Sequence, residues 1–415
     1  MIHGLIGLMG LIFLAWLASE NRRNFPWRVA VMGLVLQLGL GLVLLKLPPV
    51  RSVFLWLNDL VIALQRAMEQ GTSFVFGYLG GGGAPFAKGE GGTTFILAFQ
   101  ALPLVLLVSA LSALLYHWRI LPWVVRGISA VLEKGMGVGG AVGLATAMNV
   151  FVGMVEAPLA IRPYLAIMTR SELFAVMTAG MATIAGTMMV LYAAILDPVI
   201  PDAMGHVLTA SIISAPAALM VSRIMVPESG SPTLGGDMPP SQATGAMDAI
   251  VRGTTEGVTL LLNIIAMLMV LVALVSLVNQ GLASVAGWAG MEGDPLTLQK
   301  ILGWLMAPVA WLMGIGWQEA QVAGSLLGTK TILNEFIAYM DLVNIPQEQM
   351  GQKSRIIMMY ALCGFANMGS LGIMIGGLGA MVPGRKDEVV ALGFRSIIAG
   401  TLATCMTGAV VGIIL

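Results

Sequence analysis

Two glutamates, Glu156 and Glu335, stand inside stretches that are otherwise apolar. An ionisable group in such a stretch costs at least ~2.5 kcal/mol on membrane-insertion scales, so it usually faces a cavity, a partner or a pathway. A carboxylate there can accept two hydrogen bonds from the vicinal hydroxyls of a sugar, or carry a proton. Held instead by neighbouring helix-end amides, it would be purely structural. Each glutamate is followed by a cluster of small residues. Gly180-Met181-Ala182-Thr183-Ile184-Ala185-Gly186-Thr187 begins 24 residues after Glu156, and Gly364-Phe365-Ala366-Asn367-Met368-Gly369-Ser370 begins 29 after Glu335. Both read G-x-A, then Thr or Asn, then small residues ending in a hydroxyl. A helix interrupted at such a cluster frees carbonyls that can coordinate a small cation and amides that can face an oxygen-bearing solute. Asn149 precedes a further break at Val152-Gly153, and with Thr183 it offers neutral oxygens that suit a monovalent cation better than a divalent one. Ordinary interhelical hydrogen bonding by Asn149 and Thr183 is the alternative. Phe365 offers a ring for stacking on a flat heterocycle, or a core aromatic. Glu319, in the polar run Gln318-Glu319-Ala320-Gln321, reads as a solvated group as readily as a site residue.

These residues must be positioned by membrane-spanning helices. Of 415 residues, 58% are hydrophobic and 10% charged, and the formal net charge is zero. Soluble proteins carry roughly 25% charged residues. Mean hydropathy is +0.90. A soluble enzyme, a disordered chain and a nucleic-acid binder with a basic face are excluded. Cys363 and Cys405 both lie in apolar segments, and His3, His117 and His206 are scattered, so no disulfide framework or metal cluster is available. Apolar runs near 2–19, 29–47, 94–116, 172–196, 205–226, 256–280, 355–382 and 389–415 are long enough to cross ~30 Å of hydrocarbon. Regions 137–169 and 300–344 are interrupted by glycine, proline and polar residues and read as two re-entrant helical hairpins, the kind of feature that marks a transport site.

The expected fold is an all-α polytopic membrane protein with eight transmembrane helices and two re-entrant hairpins. Three spans separate Glu156 from Glu335, and an odd number inverts the second copy, as in inverted-repeat transporters. Residues 50–70 mix apolar positions at three- and four-residue spacing with Arg51, Asp59, Arg66 and Glu69, the pattern of an interfacial helix or of a connecting helix packed on the protein. The glycines from Gly80 to Gly92 match no phosphate loop and read as an external loop. Residues 227–247, rich in Pro, Gly and Ser, read as a linker between two halves. The expected domains are 1–93 (scaffold spans and interfacial helix), 94–136 (scaffold span and cytoplasmic connector), 137–226 (first repeat), 227–255 (cytoplasmic linker) and 256–415 (second repeat). Thirteen of 21 Lys and Arg, among them Arg22, Arg23, Arg170 and Arg385, fall in segments this layout makes cytoplasmic. That bias puts both termini outside.

The motifs resemble concentrative nucleoside transporters. Asn149-Val150-Phe151-Val152-Gly153, Glu156-Ala157-Pro158 and Arg162-Pro163 resemble the family's first hairpin. Gly328-Thr329-Lys330 with Asn334-Glu335-Phe336 resembles the second, and Ala361-Leu362-Cys363-Gly364-Phe365-Ala366-Asn367 the seventh span. The likeness covers nearly the whole chain and implies a bacterial member. It implies a homotrimer in the inner membrane, not an enzyme, that takes up nucleosides by sodium symport with an elevator-like movement. It uses no cofactor beyond Na+ as the coupling ion. The matching positions imply sodium at Asn149, Val152, Thr183 and Ile184, ribose at Glu335, Asn367 and Ser370, and the base near Glu156, Met188 and Phe365. Many members read Gly-Gln-Thr-Glu where this chain has Gly153-Met154-Val155-Glu156. Met154 and Val155 cannot replace those side-chain hydrogen bonds to the base. A proton-coupled symporter of the same fold is the alternative, in which a glutamate titrates and sodium is irrelevant.

Overall fold

The computed structural model describes residues 2–85, 95–233, 241–288 and 296–415. In hydrocarbon every backbone N–H needs a partner within its own segment unless a closed barrel forms, so a chain this apolar folds as helices. The described residues form helices and turns and no strand. The chain opens with α1 (Ile2–Leu17), α2 (Trp27–Lys46), α3 (Pro48–Phe76), the short α4 (Leu97–Gln100) and α5 (Leu104–His117). The expected interfacial helix at 50–70 is thus the middle of a 29-residue helix. Of the glycine loop, residues 86–94 lie outside the described residues, as do 234–240 of the linker.

Next come α6 (Ile120–Met136), α7 (Gly140–Asn149), α8 (Glu156–Ala160), α9 (Arg162–Leu165), α10 (Arg170–Ala182), α11 (Gly186–Leu196) and α12 (Ala203–Met225). After α13 (Ala246–Trp288) follow α14 (Leu298–Leu312), α15 (Trp317–Ile332), α16 (Glu335–Asn344), α17 (Gln352–Leu362), α18 (Met368–Met381) and α19 (Lys386–Ile414). The two series run in parallel. Each opens on one helix (α6, α14), makes a helical hairpin (α7 with α8 and α9, α15 with α16), passes through a broken helix pair (α10–α11, α17–α18) and closes on a long unbroken helix (α12, α19). The order of elements thus occurs twice along the chain.

Two boundaries differ from expectation. Region 300–344 holds three helices, α14, α15 and α16. The chain bends by 117° between α14 and α15, where Gly314 takes φ +94°, a conformation glycine adopts without steric cost. α15 and α16 follow this bend as the counterparts of α7 with α8 and α9 in the element order. The span expected at 256–280 is part of a 43-residue helix. Among the described residues, six helices or continuous helix pairs are long and apolar enough to cross a membrane, and α14–α15 would be a seventh if counted as one bent span. α1 and α18 are shorter apolar helices.

The core lies between α10, α12 and α19, with α2 packed on α12. Buried Gln37 of α2 ties this contact, its Nε2 donating to Ile213 O and Thr407 Oγ1, both at 3.3 Å. By contrast α13 pairs mainly with α5 and has few fully buried residues. Thr169 starts α10 with a capping box. Its Oγ1 accepts from Glu172 N, and Glu172 Oε2 accepts from Thr169 N, both at 3.1 Å. Nearby, Glu20 in the α1–α2 turn meets Arg170 at 2.9 Å and Arg395 at 3.3 Å. The hydrogen bond from Arg170 holds the Glu20 carboxyl below its ordinary range. Three segments expected on the cytoplasmic side thus converge on one carboxylate.

Candidate functional site

Two helix breaks meet. α10 ends where Thr183 turns extended, and its partner α11 restarts at Gly186. α17 ends at Leu362, and α18 restarts after the extended Asn367. The Phe365 N–H donates to Thr183 O at 3.3 Å, so one break is bonded to the other. The tip of the first hairpin docks on the first break, where Gly186 N–H donates to Phe151 O at 2.8 Å. A Cβ at position 186 would lie 2.7 Å from that main-chain oxygen, so the close approach needs glycine.

Asparagine caps position the second glutamate. Asn334 Oδ1 accepts from Ile337 N at 2.9 Å and starts α16. Glu335 is therefore the first helical residue, where the positive end of the helix favours a carboxylate. Asn367 Oδ1 accepts from Ser370 N at 2.7 Å and starts α18. With its oxygen committed to that cap, the amide group turns the other way, and Nδ2 donates to Glu335 Oε2 at 2.9 Å. Tyr192, from α11, donates its hydroxyl to Glu335 Oε1 at 2.6 Å. Glu335 is only 4% exposed. A carboxylate has about four acceptor sites, so two such donors orient it without saturating it.

Glu335 lines a cavity of about 940 Å³, a size that suits a small organic solute. One wall comes from α5 and α13, through Ser109, Arg252, Glu256 and Asn263. The other comes from the two hairpin tips and the two breaks. Behind that wall Asn149, the last residue of α7, is 1% exposed, and neither its Oδ1 nor its Nδ2 has a hydrogen-bond partner. A buried amide without partners is costly, and its oxygen fits a small cation. Thr183, also buried, donates its hydroxyl to Ala179 O at 2.8 Å, which leaves its oxygen lone pairs for the same purpose.

Family models match three parts of the chain: Na+ dependent nucleoside transporter N-terminus at 6–79, nucleoside recognition at 98–199, and Na+ dependent nucleoside transporter C-terminus at 206–412. Nucleoside permease NupC of Helicobacter pylori is 35% identical over 99% of this chain and 97% of its own length. Human solute carrier family 28 member 3 is 34% identical over 98% of this chain and 59% of its own length. The solved structure of CNTnw in an inward-facing substrate-bound state superposes with a TM-score of 0.90 at 34% identity, covering 99% of this chain and 97% of that one. The chain belongs to the concentrative, Na+-dependent nucleoside transporter family. It is a multi-pass membrane transporter and not an enzyme.

In this transporter, nine residues expected at the site line this cavity: Val152, Met154, Val155, Glu156, Met188, Glu335, Phe365, Asn367 and Ser370. Asn149, Thr183 and Ile184 do not reach the cavity wall but lie buried at the first break. Sequence reasoning missed Tyr192, which orients Glu335, and quoted Asn334 only within a motif, not as the cap of α16. It also missed Glu256 and Asn263 of α13. The signals were present. A tyrosine hydroxyl deep in an apolar helix needs a partner, and a Glu and an Asn seven residues apart in an apolar run share one helix face.

Proposed function

We propose that the transporter imports nucleosides across the bacterial inner membrane by sodium symport. In this reading Asn149, Val152, Thr183 and Ile184 hold the sodium ion at the first break. Glu335, Asn367 and Ser370 hold the ribose. Phe365 stacks on the base, with Met154, Val155 and Met188 as apolar contacts and Glu156 as its polar handle. The observation that carries the sodium assignment is Asn149, a buried carboxamide with no partner at the end of α7. It stands two residues before Phe151, whose carbonyl is bonded to the break that follows Thr183. The ion and the nucleoside then share hairpin 1, so filling one site orders the other, which is the physical basis of coupling.

The cavity lies between the α5–α13 pair and the hairpins, which supports an elevator-type movement of the hairpins and broken helices past that pair. The hairpins enter the membrane without crossing it, both termini are periplasmic, and the assembly is a homotrimer. Exposed α13 offers apolar surface for lipid and for neighbouring copies. Uptake of labelled uridine into proteoliposomes tests the coupling. Accumulation is expected with an inward sodium gradient and is expected to stop when choline replaces sodium. Uptake that ignores this replacement and follows a proton gradient would establish the proton-coupled alternative.

A further inference from the structure

Two of the cavity glutamates each begin a helical arm. Glu335 is the first residue of α16, and Glu156 is the first of α8, which runs on into α9. An arginine grips the far end of each arm. Arg355, 2% exposed in the first turn of α17, bonds main-chain oxygens with all three of its guanidinium nitrogens. Nη1 donates to Leu342 O at 3.1 Å, Nε to Met350 O at 3.0 Å, and Nη2 to Ile345 O. These oxygens belong to the last turn of α16 and the loop into α17, where the negative end of a helix favours a cation.

The first series is gripped at the corresponding place, but from elsewhere in the chain. The one arginine of α10, Arg170, pairs with Glu20. Arg385, in the turn between α18 and α19, reaches across instead. Its Nη1 donates to Leu165 O at 2.8 Å and Met168 O at 2.7 Å, at the end of α9 and in the loop into α10. Its Nε and Nη2 meet Glu388 Oε2 at 2.8 Å and 2.7 Å. Neither arginine lines the cavity, whereas both glutamates do. A guanidinium is a planar fork, so it fixes position as well as charge. α16 has 10 residues, which makes it a stiff rod about 15 Å long. A shift at its gripped end is carried to Glu335, and a binding carboxylate must stay within roughly 0.5 Å of its productive place.

We propose that Arg355 and Arg385 are positioning residues that divide nucleoside recognition between them. Arg355, through α16, sets Glu335 against the ribose, and Arg385, through α8 and α9, sets Glu156 against the base. This rests on the ribose and base reading above and goes beyond it, because it gives each part of the nucleoside its own remote anchor.

The test is a set of double-mutant cycles, read by titrating purified full-length protein with uridine at saturating sodium. Arg355→Lys keeps the charge and loses the fork, and should weaken uridine binding about tenfold. In a Glu335→Gln background the same substitution should cost less than about twofold, because the group it positions is already altered, while in a Glu156→Gln background it should keep its full effect. Arg385→Lys should show the reverse pattern, coupled to Glu156→Gln and additive with Glu335→Gln. A guanidinium that only capped a helix end would lower the Tm and leave uridine affinity alone. That outcome, or losses that add in both backgrounds, overturns the proposal. Wild-type affinity in Glu335→Gln and Glu156→Gln themselves would overturn the ribose and base reading, and this proposal with it. If Arg355→Lys does not fold, the Arg385 cycle decides, and additivity with Glu156→Gln there overturns the assignment.

Discussion

The Tyr192 hydroxyl lies 2.6 Å from Glu335 Oε1, joining residues 143 apart in the chain. Tyr192 and Asn367 each donate to a different oxygen of the carboxylate, so its plane is fixed before substrate arrives. That preorganisation sets the first prediction. Tyr192→Phe should weaken nucleoside binding about tenfold, since hydrogen bonds to charged groups contribute roughly 1.5–3 kcal/mol each. Glu335→Gln should weaken it at least as much. Calorimetric titration of the purified variants gives both numbers. Wild-type affinity in Tyr192→Phe would show that Asn367 alone suffices to hold the carboxylate.

Substitution of Thr183 tests whether ion binding and nucleoside binding can be separated. The Thr183 hydroxyl lies at the first break and does not line the cavity. Thr183→Ala should therefore raise the half-saturating sodium concentration by roughly tenfold, while nucleoside affinity at saturating sodium stays close to wild type. Thr183→Ser keeps the hydroxyl and should restore sodium affinity. Sodium titrations of uptake check all three proteins. An equal loss in the Ala and Ser variants would assign the effect to the methyl group and remove Thr183 from the ion site.

Base selectivity should follow from Met154 and Val155. Both line the cavity, and Val155 also packs on α18, where a Cβ at Gly377 would come within 3.0 Å of its Cγ1. Apolar contact discriminates by only ~10–200-fold, whereas a site built on hydrogen bonds reaches 10⁴ or more. Weak discrimination between uridine and cytidine is expected. The double substitution Met154→Gln with Val155→Thr should sharpen the preference or tighten binding. Competition by a nucleoside panel against labelled uridine measures this. Strong wild-type selectivity, untouched by the double substitution, would place base recognition elsewhere.

The contact between Gly186 and Phe151 sets a steric prediction. A side chain at 186 meets a main-chain carbonyl at 2.7 Å, and main chain cannot rotate away as a flexible side chain can. Gly186→Val should lower stability by about 1–3 kcal/mol, the usual cost of overpacking, and abolish transport by lifting the hairpin tip off the break. Gly39, on α2, has open space where a Cβ would stand, so Gly39→Ala is the control that should leave uptake unchanged. Thermal unfolding in detergent and uptake assays report the two effects. Wild-type behaviour in Gly186→Val would mean the tip does not need this contact.

Much of this was legible in the residues alone. Long apolar runs can only be helices in hydrocarbon, because a backbone with no water must satisfy itself. Glu156 and Glu335 stood out because charge there is costly, and Thr183 and Asn367 because the small residues around them break helices. Other features were decided only by the packed chain. Hydropathy read α14, α15 and α16 as one interrupted apolar region because composition does not record the direction in which a helix leaves a break. Here the chain turns by 117° at Gly314. Nothing local pairs Tyr192 with Glu335, bonds Phe365 to Thr183, or buries Lys330 against Ala361 and Thr404. Each depends on helices distant in sequence being packed at fixed spacing and rotation. Residue type determined which groups needed partners, and tertiary packing chose the partners, because a buried hydrogen bond forms only where two separate helices place donor and acceptor within about 3 Å.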